Sequence, residues 1–267
     1  MNLVVKIGGS LLKGHPPDSI LDDIAVRAAE NRLILVHGGG DLVTSVAEKL
    51  GKKQTFIVSP NGVRSRFTDK DTAEIYTMVM SGMISARLTA GLAKRDVKAV
   101  SLSGLDGSLL VAKRKGKLVT VDGRGRRIMV EGGYTGKIES VNLELIERLL
   151  EGGYVPIISP VAISREGECL NVDGDRAASS TAIAVRADVL IFLTNVPGLM
   201  NGKRLVERAS AVQARAILPS IGFGMQKKVL ASAESVEGGV REAIICSGTV
   251  AEPIASGLNH QNCTVIS

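Results

Sequence analysis

Short apolar runs alternate along the chain with longer segments in which apolar residues recur every three or four positions. The runs are rich in Val, Ile and Leu with little period-two alternation, which is typical of strands buried on both faces of a parallel sheet. They predict strands at residues 3–7, 33–36, 99–102, 155–159, 189–194 and 243–246. The amphipathic segments predict helices at residues 18–29, 41–50, 69–80, 142–150, 175–186 and 225–236. This alternation predicts an α/β sandwich.

Two segments break the alternation. Residues 109–130 and 162–171 mix polar and apolar positions around glycine, and they predict antiparallel hairpins inserted into the sandwich. Thr68 and Asp71 form a capping-box pattern at the start of the third helix. Because we find no repeat, low-complexity tract or linker, we expect a single domain over residues 1–267.

Glycine or small-residue turns follow three of the predicted strands, in KIGGS (6–10), HGGGD (37–41) and SLSGLDG (101–107). The carboxyl ends of parallel strands share one edge of a sheet, where ligands bind. Glycines let backbone N–H groups approach an anion, and a following helix N-terminus adds partial positive charge. Plain tight turns are the alternative. GxGxxG and GxxxxGK[ST] are both absent, so neither a dehydrogenase nor a P-loop protein is expected.

Two lysines suit such an anion site. Lys6 ends the first predicted strand, directly before the glycine turn, and a cation so close to a buried strand needs an anion beside it. Lys227 and Lys228 lie just inside a predicted helix start, where cations oppose the helix dipole. A polyanionic ligand explains that placement. A solvated first turn is the alternative, and for Lys227 we favour it.

Acidic residues occur in NVDGD (171–175), ahead of another predicted helix. Asn171, Asp173 and Asp175 alternate, so an extended strand end would place all three on one face. Helix capping explains one aspartate but not three polar residues. Asp175 is suited to orienting the two lysines or to assisting Mg²⁺. Cations, a carboxylate and glycine turns together favour phosphoryl transfer, in which catalysis is mostly positioning and charge stabilisation.

Composition narrows the class of protein. The 267 residues are 45% hydrophobic but only 3% aromatic, without Trp, which argues against stacking on single-stranded nucleic acid. The net charge of +6 and pI of about 9.3 favour anionic partners. Cys169, Cys246 and Cys263 are isolated, so we expect neither structural zinc nor a disulfide framework. Lys6 interrupts the first apolar run, and no stretch reaches the length of a membrane span. A cytoplasmic protein without a membrane partner is therefore expected.

A series of motifs in fixed order resembles the amino acid kinase superfamily, and within it the N-acetylglutamate kinase group. They are VVKIGGS, LVHGGGD, GVRSRFTD, GLDG, GGYTGKIESVN, CLNVDGDRAA, LTNVPGLM and GMQKKV. The likeness is greatest to archaeal kinases that phosphorylate the side-chain carboxylate of α-aminoadipate or glutamate on an amino-group carrier protein, in lysine and arginine biosynthesis. The resemblance implies the amino acid kinase fold, a three-layer αβα sandwich around a mainly parallel sheet with inserted hairpins.

The resemblance also implies roles for individual residues. Lys6 and Lys228 would stabilise the transferring phosphoryl group, and Asp175 would hold both lysines in place. The acyl substrate is expected in about residues 1–170, on Gly39, Gly40, Arg66 and Asn171. ATP, with Mg²⁺ but no protein-borne metal, is expected in about residues 171–267 together with the first glycine turn, at Gly8, Asn195, Gly198 and Gly224. Asn195 departs from the TDV motif that is usual in N-acetylglutamate kinases.

The implied partner is a small acidic carrier, which would dock on basic residues of the inserted hairpins. The candidates are Arg64, Arg124, Arg126 and Arg127. Solvated hairpin tips are the alternative explanation for these charges. The chain begins at its first strand, without the N-terminal helix of arginine-inhibited hexameric relatives. We therefore expect a homodimer without arginine feedback.

Two other functions remain open at this point. One is a kinase of free N-acetylglutamate, with the same chemistry. The other is a nucleotide sensor or nucleic-acid-binding protein. A sensor needs no transition-state clamp, and the basic residues lie in hairpins rather than on one recognition helix. Both observations favour a kinase that binds no nucleic acid.

Overall fold

The computed structural model of the chain describes residues 1–60, 62, 64–121 and 126–267. Its helices include all six that the sequence predicts. They are α1 (Asp18–Glu30), α2 (Gly40–Lys49), α3 (Lys70–Thr77), α4 (Ser85–Ala93), α5 (Leu143–Glu151), α6 (Gly174–Ala184), α7 (Ala211–Ile217), α8 (Phe223–Glu237) and α9 (Pro253–Leu258). A π-helical segment (Met78–Ile84) joins α3 to α4, and 3₁₀ turns occur at Gly9–Leu12, Asp106–Ser108 and Leu218–Ser220.

The strands form one large sheet and several small ones. They are β1 (Asn2–Ile7), β2 (Arg32–His37), β3 (Thr55–Val58), β4 (Arg64–Phe67), β5 (Ala99–Ser103), β6 (Leu110–Arg114), β7 (Lys117–Val121), β8 (Arg127–Glu131), β9 (Gly136–Val141), β10 (Val155–Ser159), β11 (Val161–Ile163), β12 (Cys169–Asn171), β13 (Val189–Thr194), β14 (Met200–Asn201), β15 (Arg204–Leu205), β16 (Arg208–Ala209), β17 (Glu242–Ser247) and β18 (Cys263–Ile266).

The large sheet has eight strands in the order β16-β18-β17-β13-β1-β2-β10-β5. The six strands from β17 to β5 run parallel, and β18 pairs antiparallel with β17. These six are the predicted strands, so the predicted α/β sandwich around a mainly parallel sheet is confirmed. Carboxyl ends of parallel strands lie on one edge, and the segments that follow β1, β2 and β13 therefore come together.

Helices cover both faces of this sheet over two apolar cores. In β1, Leu3, Val5 and Ile7 face a core shared with α1, α2 and α4, whereas Val4 faces a core shared with α6 and α8. Side chains alternate along a strand, so Lys6 lies on the same face as Val4. The polar end of β1 is thereby directed at α6 and α8.

The third predicted helix is longer than its pattern indicates. The helical path runs through α3, the π-helical segment and α4 to Ala93. The capping-box prediction is wrong, because the Asp69 carboxylate accepts the hydrogen bond from the Thr72 N–H at 2.8 Å. Thr68 is buried and its hydroxyl accepts a hydrogen bond from Asn171 instead.

The predicted hairpins are confirmed at β11–β12 and at β7–β8, both of which pair antiparallel. The pairing of β6 within its hairpin segment is wrong, because β6 pairs with β9 in a four-stranded sheet ordered β12-β11-β6-β9. Polar alternation predicts a strand but does not choose its partner. None of the helices in the described part of the chain is long and apolar enough to cross a membrane.

Candidate active site

A cleft of about 1500 Å³ opens where the carboxyl ends of β1, β2 and β13 meet. The first 3₁₀ turn, α2, α6 and α8 all begin at its wall, at Gly9, Gly40, Gly174 and Phe223. Free N–H groups at helix N-termini attract anions, and glycines keep those N–H groups accessible. The cleft is therefore suited to a polyanionic ligand.

The first two predicted glycine turns pack directly against each other at the cleft. A Cβ on Gly9 would lie 2.6 Å from the Gly39 nitrogen, and a Cβ on Gly8 would lie 2.8 Å from the Leu193 carbonyl oxygen. Backbone cannot give way at such distances, so these positions require glycine. The two turns form one continuous backbone surface.

The third glycine turn, at residues 101–107, does not belong to the site. Gly104 packs against the backbone of Val161, which lies 2.3 Å from its Cβ position, and Asp106 accepts hydrogen bonds from Ser103. Of the described residues that line the cleft, none comes from this turn. The predicted third anion cradle is wrong because the turn satisfies its own polar groups.

A charged triad is buried at the centre of the cleft. The Asp175 Oδ1 atom lies 2.8 Å from Lys6 Nζ, and its Oδ2 atom lies 3.3 Å from Lys228 Nζ. Lys6 and Asp175 are each only 5% exposed. Burial would raise the pKa of the Asp175 carboxyl, but the two lysines hold that pKa below its usual value. Burial also lowers the pKa of Lys228, against the attraction of Asp175. One ionised carboxylate thus positions two ammonium groups towards a shared space.

A second ion pair lies beside this triad. Asp173 caps α6, accepting from the N–H groups of Asp175 at 3.0 Å and Arg176 at 3.2 Å. Its other oxygen lies 3.0 Å from Lys227 Nζ. The expectation of a solvated Lys227 is therefore wrong. The extended conformation expected through Asp175 is wrong too, because β12 ends at Asn171 and Asp175 lies in the first helical turn. All three polar residues of NVDGD nevertheless line the cleft.

The predicted acyl-binding residues lie on the β2 side of Lys6. Arg66 Nη2 donates to the Gly40 carbonyl at 2.8 Å and to Thr44 Oγ1 at 2.9 Å, so the guanidinium is held against the start of α2. It also stacks 5.0 Å from the Phe56 ring centre. Asn171 donates to Thr68 Oγ1 at 2.9 Å. Together with Gly39, these residues line one cleft wall.

The predicted ATP-binding residues lie on the β13 side. Asn195 follows β13 and is exposed, whereas Gly8 is buried, and both residues line the cleft. Gly198 is packed so closely against Thr264 that a Cβ would lie 2.6 Å from its hydroxyl. Gly224 lies in the first turn of α8 with open space around it. Because β1 lies between β2 and β13, the two predicted residue sets flank Lys6.

Three residues at the site were missed by the sequence analysis. His37 ends β2 and is fully buried, and this burial lowers its pKa to about 4. Tyr76 lines the cleft and hydrogen-bonds the Val172 carbonyl. Lys115 is exposed and lines the cleft near Asp173, Arg176 and Lys227. The sequence signal for His37 is its position directly before the three glycines of HGGGD.

The predicted docking arginines are distributed around the hairpins. Arg126 and Arg127 are exposed at the start of β8, and Arg64 begins β4. Arg124 lies outside the described residues. Over the described ranges, no group of three or more His, Cys, Asp or Glu side chains is placed to hold a metal ion.

Comparison with known proteins assigns the chain to a family. The amino acid kinase family profile matches residues 1–247. A protein of Cenarchaeum symbiosum, provisionally named a LysW-aminoadipate/LysW-glutamate kinase, is 51% identical over 264 residues, covering 99% of this chain and 98% of its own. The LysW-aminoadipate/LysW-glutamate kinase of Saccharolobus solfataricus is 41% identical over 266 residues, with 99% of each chain covered.

Among solved structures, the N-acetylglutamate synthase of Neisseria gonorrhoeae has the same fold. The TM-score is 0.82 at 24% identity, and the match covers 99% of this chain but 59% of the synthase. The predicted amino acid kinase fold is thereby confirmed. The family profile and both kinases extend over nearly the whole sequence, and the chain belongs to the amino acid kinase family.

Proposed function

We propose that this protein uses ATP to phosphorylate the side-chain carboxylate of α-aminoadipate or glutamate carried on an amino-group carrier protein, giving an acyl phosphate. The observation that carries the proposal is the buried Lys6–Asp175–Lys228 triad beside the two glycine turns. The names of the two kinase relatives support the choice of acyl group and of a LysW-type carrier.

The triad suits in-line phosphoryl transfer. A carboxylate oxygen of the acyl substrate attacks the γ-phosphorus, the bond to the β,γ-bridging oxygen breaks, and ADP leaves with that electron pair. Negative charge spreads over the equatorial oxygens and the leaving oxygen. Lys6 and Lys228 offer two preorganised cations for this charge, and Asp175 prevents them from separating.

The two sides of the cleft are assigned to the two substrates. Gly39, Gly40, Arg66 and Asn171 bind the acyl group, with the planar Arg66 fork already oriented by Gly40 and Thr44. Gly8, Asn195, Gly198 and Gly224 bind ATP, with the N-terminus of α8 directed at its phosphates. This assignment divides one domain at about residue 170 into an acyl half and a nucleotide half.

Magnesium enters this proposal as MgATP. Asp175 is engaged by two lysines and Asp173 by Lys227 and a helix cap, and the described residues contain no group of three or more His, Cys, Asp or Glu side chains placed to hold a metal ion. Mg²⁺ typically arrives with nucleotide phosphates and partly neutralises them. Activity should therefore require added Mg²⁺ and disappear in excess chelator, while the purified protein retains no stoichiometric metal.

The carrier is assigned to the hairpin side of the cleft. Arg64 belongs to the hairpin β3–β4, Arg126 and Arg127 border or begin β8 in the hairpin β7–β8, and Arg124 is included from its position in the sequence alone. The two hairpins contact each other through the Thr120 hydroxyl and the Val58 carbonyl. β4 also carries Arg66, so an acidic carrier docked on these hairpins lies close to the acyl side. A homodimeric assembly remains a prediction.

Three parallel assays test the function. ADP formation is measured with carrier-borne aminoadipate, with carrier-borne glutamate and with free N-acetylglutamate, and the acyl phosphate is trapped as its hydroxamate. The proposal expects kcat/KM for a carrier-borne substrate to exceed that for free N-acetylglutamate by at least about a hundredfold, since a docking surface adds binding energy remote from the reacting atoms. Preference for the free compound would identify an N-acetylglutamate kinase instead. ATP binding without turnover of any substrate would indicate a sensor.

A further inference from the structure

A buried histidine links the glycine turn of the acyl side to the long helix behind it. His37 is 0% exposed, and its Nε2 atom lies 3.0 Å from the Ser85 hydroxyl, which is also 0% exposed. Its Nδ1 atom lies 3.2 Å from the Gly38 carbonyl oxygen. Since a carbonyl can only accept, Nδ1 carries the proton and the neutral ring accepts from Ser85 through Nε2. Both ring nitrogens are then satisfied in one tautomer.

The Gly38 carbonyl belongs to the same rigid peptide plane as the Gly39 N–H. In a trans peptide these two groups point in opposite directions. A hydrogen bond from His37 to the Gly38 oxygen therefore fixes the direction of the Gly39 N–H, away from the imidazole. Gly39 lines the cleft, and its N–H has no acceptor among the residues that the structure describes.

The π-helical segment explains why Ser85 reaches this ring. Met78–Ile84 widens the helix immediately before α4, and π-helical turns often occur at functional sites. Ile84 packs on Gly39 so closely that a Cβ there would lie 2.0 Å from Ile84 Cδ1. Ser85, the next residue, contacts His37. The helix thus holds the turn at two neighbouring points, one apolar and one polar.

We propose that His37 and Ser85 are positioning residues that aim the Gly39 N–H at the charge developing on the reacting groups. The inference rests on the proposed function, because it assigns the Gly39 N–H to phosphoryl transfer. Neither residue touches the reactants. Their effect passes through one peptide plane, and it complements the cations of the triad.

Substitutions that copy one ring nitrogen at a time test this role. The amide nitrogen of Asn occupies the place of Nδ1, whereas that of Gln occupies the place of Nε2. His37→Asn should retain kcat within about threefold, while His37→Gln and His37→Leu should lower kcat about ten- to hundredfold with little change in KM, as expected when reacting groups are misplaced by a fraction of an ångström. Ser85→Ala should lower kcat less, and its effect should not add to that of His37→Leu.

The neighbouring serine pair supplies a matched control. Ser81 lies within the same π-helical segment, and its Oγ atom lies 2.8 Å from Ser159 Oγ, with no hydrogen bond to the glycine turn among the described residues. Ser81→Ala should leave kcat unchanged. Equal kcat for the Asn and Gln variants, or a Ser81→Ala loss equal to that of Ser85→Ala, would overturn the proposal. If His37→Leu does not fold, comparing kcat of His37→Asn with kcat of His37→Gln still tests the proposal.

A second measurement does not depend on turnover. In protein labelled with ¹⁵N-glycine, AMP-PNP together with N-acetylglutamate should shift the Gly39 amide resonance of the wild type and of His37→Asn. In His37→Gln the shift should be lost. An identical response in all three proteins would overturn the positioning role, even if the enzyme turned over none of the three acyl substrates and the proposed function had failed separately.

Discussion

The protein places positive charge in two very different settings, the buried triad and the β7–β8 hairpin. Lys6 and Lys228 are largely buried, and both ammonium groups contact the single carboxylate of Asp175. Lys117, Arg126 and Arg127 lie on the hairpin and are exposed. The sequence shows basic residues beside glycine in both places. The two groups of basic residues differ in burial, and this difference gives them different functions.

This difference in burial determines how each group of charges can act. Buried ammonium groups are expensive to desolvate, and they persist only where a partner compensates them. They are therefore fixed in position and strong at short range. Exposed charges cost little to place, but salt screens them beyond about 8 Å at physiological ionic strength. The triad is thus suited to chemistry, and the hairpin is suited to attracting a partner.

The largest expected effect comes from removing a buried cation. Lys6→Met and Lys228→Met should each lower kcat about a hundred- to thousandfold, or roughly 3–4 kcal/mol, because a preorganised donor to developing charge is lost. Lys117→Met is the matched exposed control, and it should leave kcat unchanged. Circular dichroism and binding of an ATP analogue would show that the fold persists. Similar kcat losses for Lys6→Met and Lys117→Met would remove the distinction between the two regions.

The buried region should also reveal itself by titration of His37. Its burial and the nearby Lys6 ammonium lower the His37 pKa from 6.5 to about 4, although the hydrogen bond to Gly38 opposes this. The unfolded chain takes up a proton near pH 6.5, whereas the folded protein does so only near pH 4. The free energy of unfolding should therefore fall by about 3 kcal/mol as the pH drops through this window, and it should not change above it.

Chemical denaturation at several pH values measures this slope, and His37→Asn should flatten it. Ser81→Ala, which changes no titratable group, should leave the slope intact. The Asp175 carboxyl contributes in a separate window. Its pKa is below the ordinary 3.8, so its stabilisation is present above that pH and lost only as the pH falls further. A slope between pH 6.5 and 4 that persists in His37→Asn would contradict the assignment.

Much of this arrangement could be predicted from the sequence, because the parallel strands are largely apolar runs, and glycine directly follows β1, β2, β5 and β17. Lys6 and Asp175 were predicted because a charge at the end of a buried strand, or beside a helix start, is rare without a reason. The partner of β6 could not be predicted, since alternation indicates a strand but not its neighbour. Lys115 resembles the other hairpin lysines in sequence, and only the path of the chain brings it to the cleft.

The features that the sequence did not predict share one physical cause. In the π-helical segment, Met80 and Ile84 pack against Gly39 of the glycine turn, a contact that no local periodicity encodes. Lys227 pairs with Asp173 across 54 positions of sequence. Such contacts appear only when two helix starts converge on one cleft. Sequence therefore identified which residues are unusual, while the fold determined which of them act together.

Reversing the hairpin charge should have an intermediate effect that salt can reproduce. Arg126→Glu with Arg127→Glu should lower kcat/KM for a carrier-borne substrate about tenfold at low salt, because electrostatic steering acts mainly on association. The KM for ATP should not change. Added salt should reduce wild-type kcat/KM towards that of the variant. A loss that persists in high salt would indicate a structural defect rather than steering.

The smallest effect is expected from Lys227, which lies between the two extremes. Its side chain is 33% exposed, and its partner Asp173 already caps α6, because its other oxygen accepts from the N–H groups of Asp175 and Arg176. Partly exposed ion pairs contribute little, so Lys227→Met should change kcat by only about threefold. Asp173→Ala removes both the ion pair and the cap, and it should lower the melting temperature more than Lys227→Met does. If Lys227→Met instead reduced kcat as strongly as Lys228→Met, three cations rather than two would stabilise the transferring group. Loss of kcat would then not follow the burial of each lysine. The position of the bound phosphates would instead decide how much Lys227 contributes.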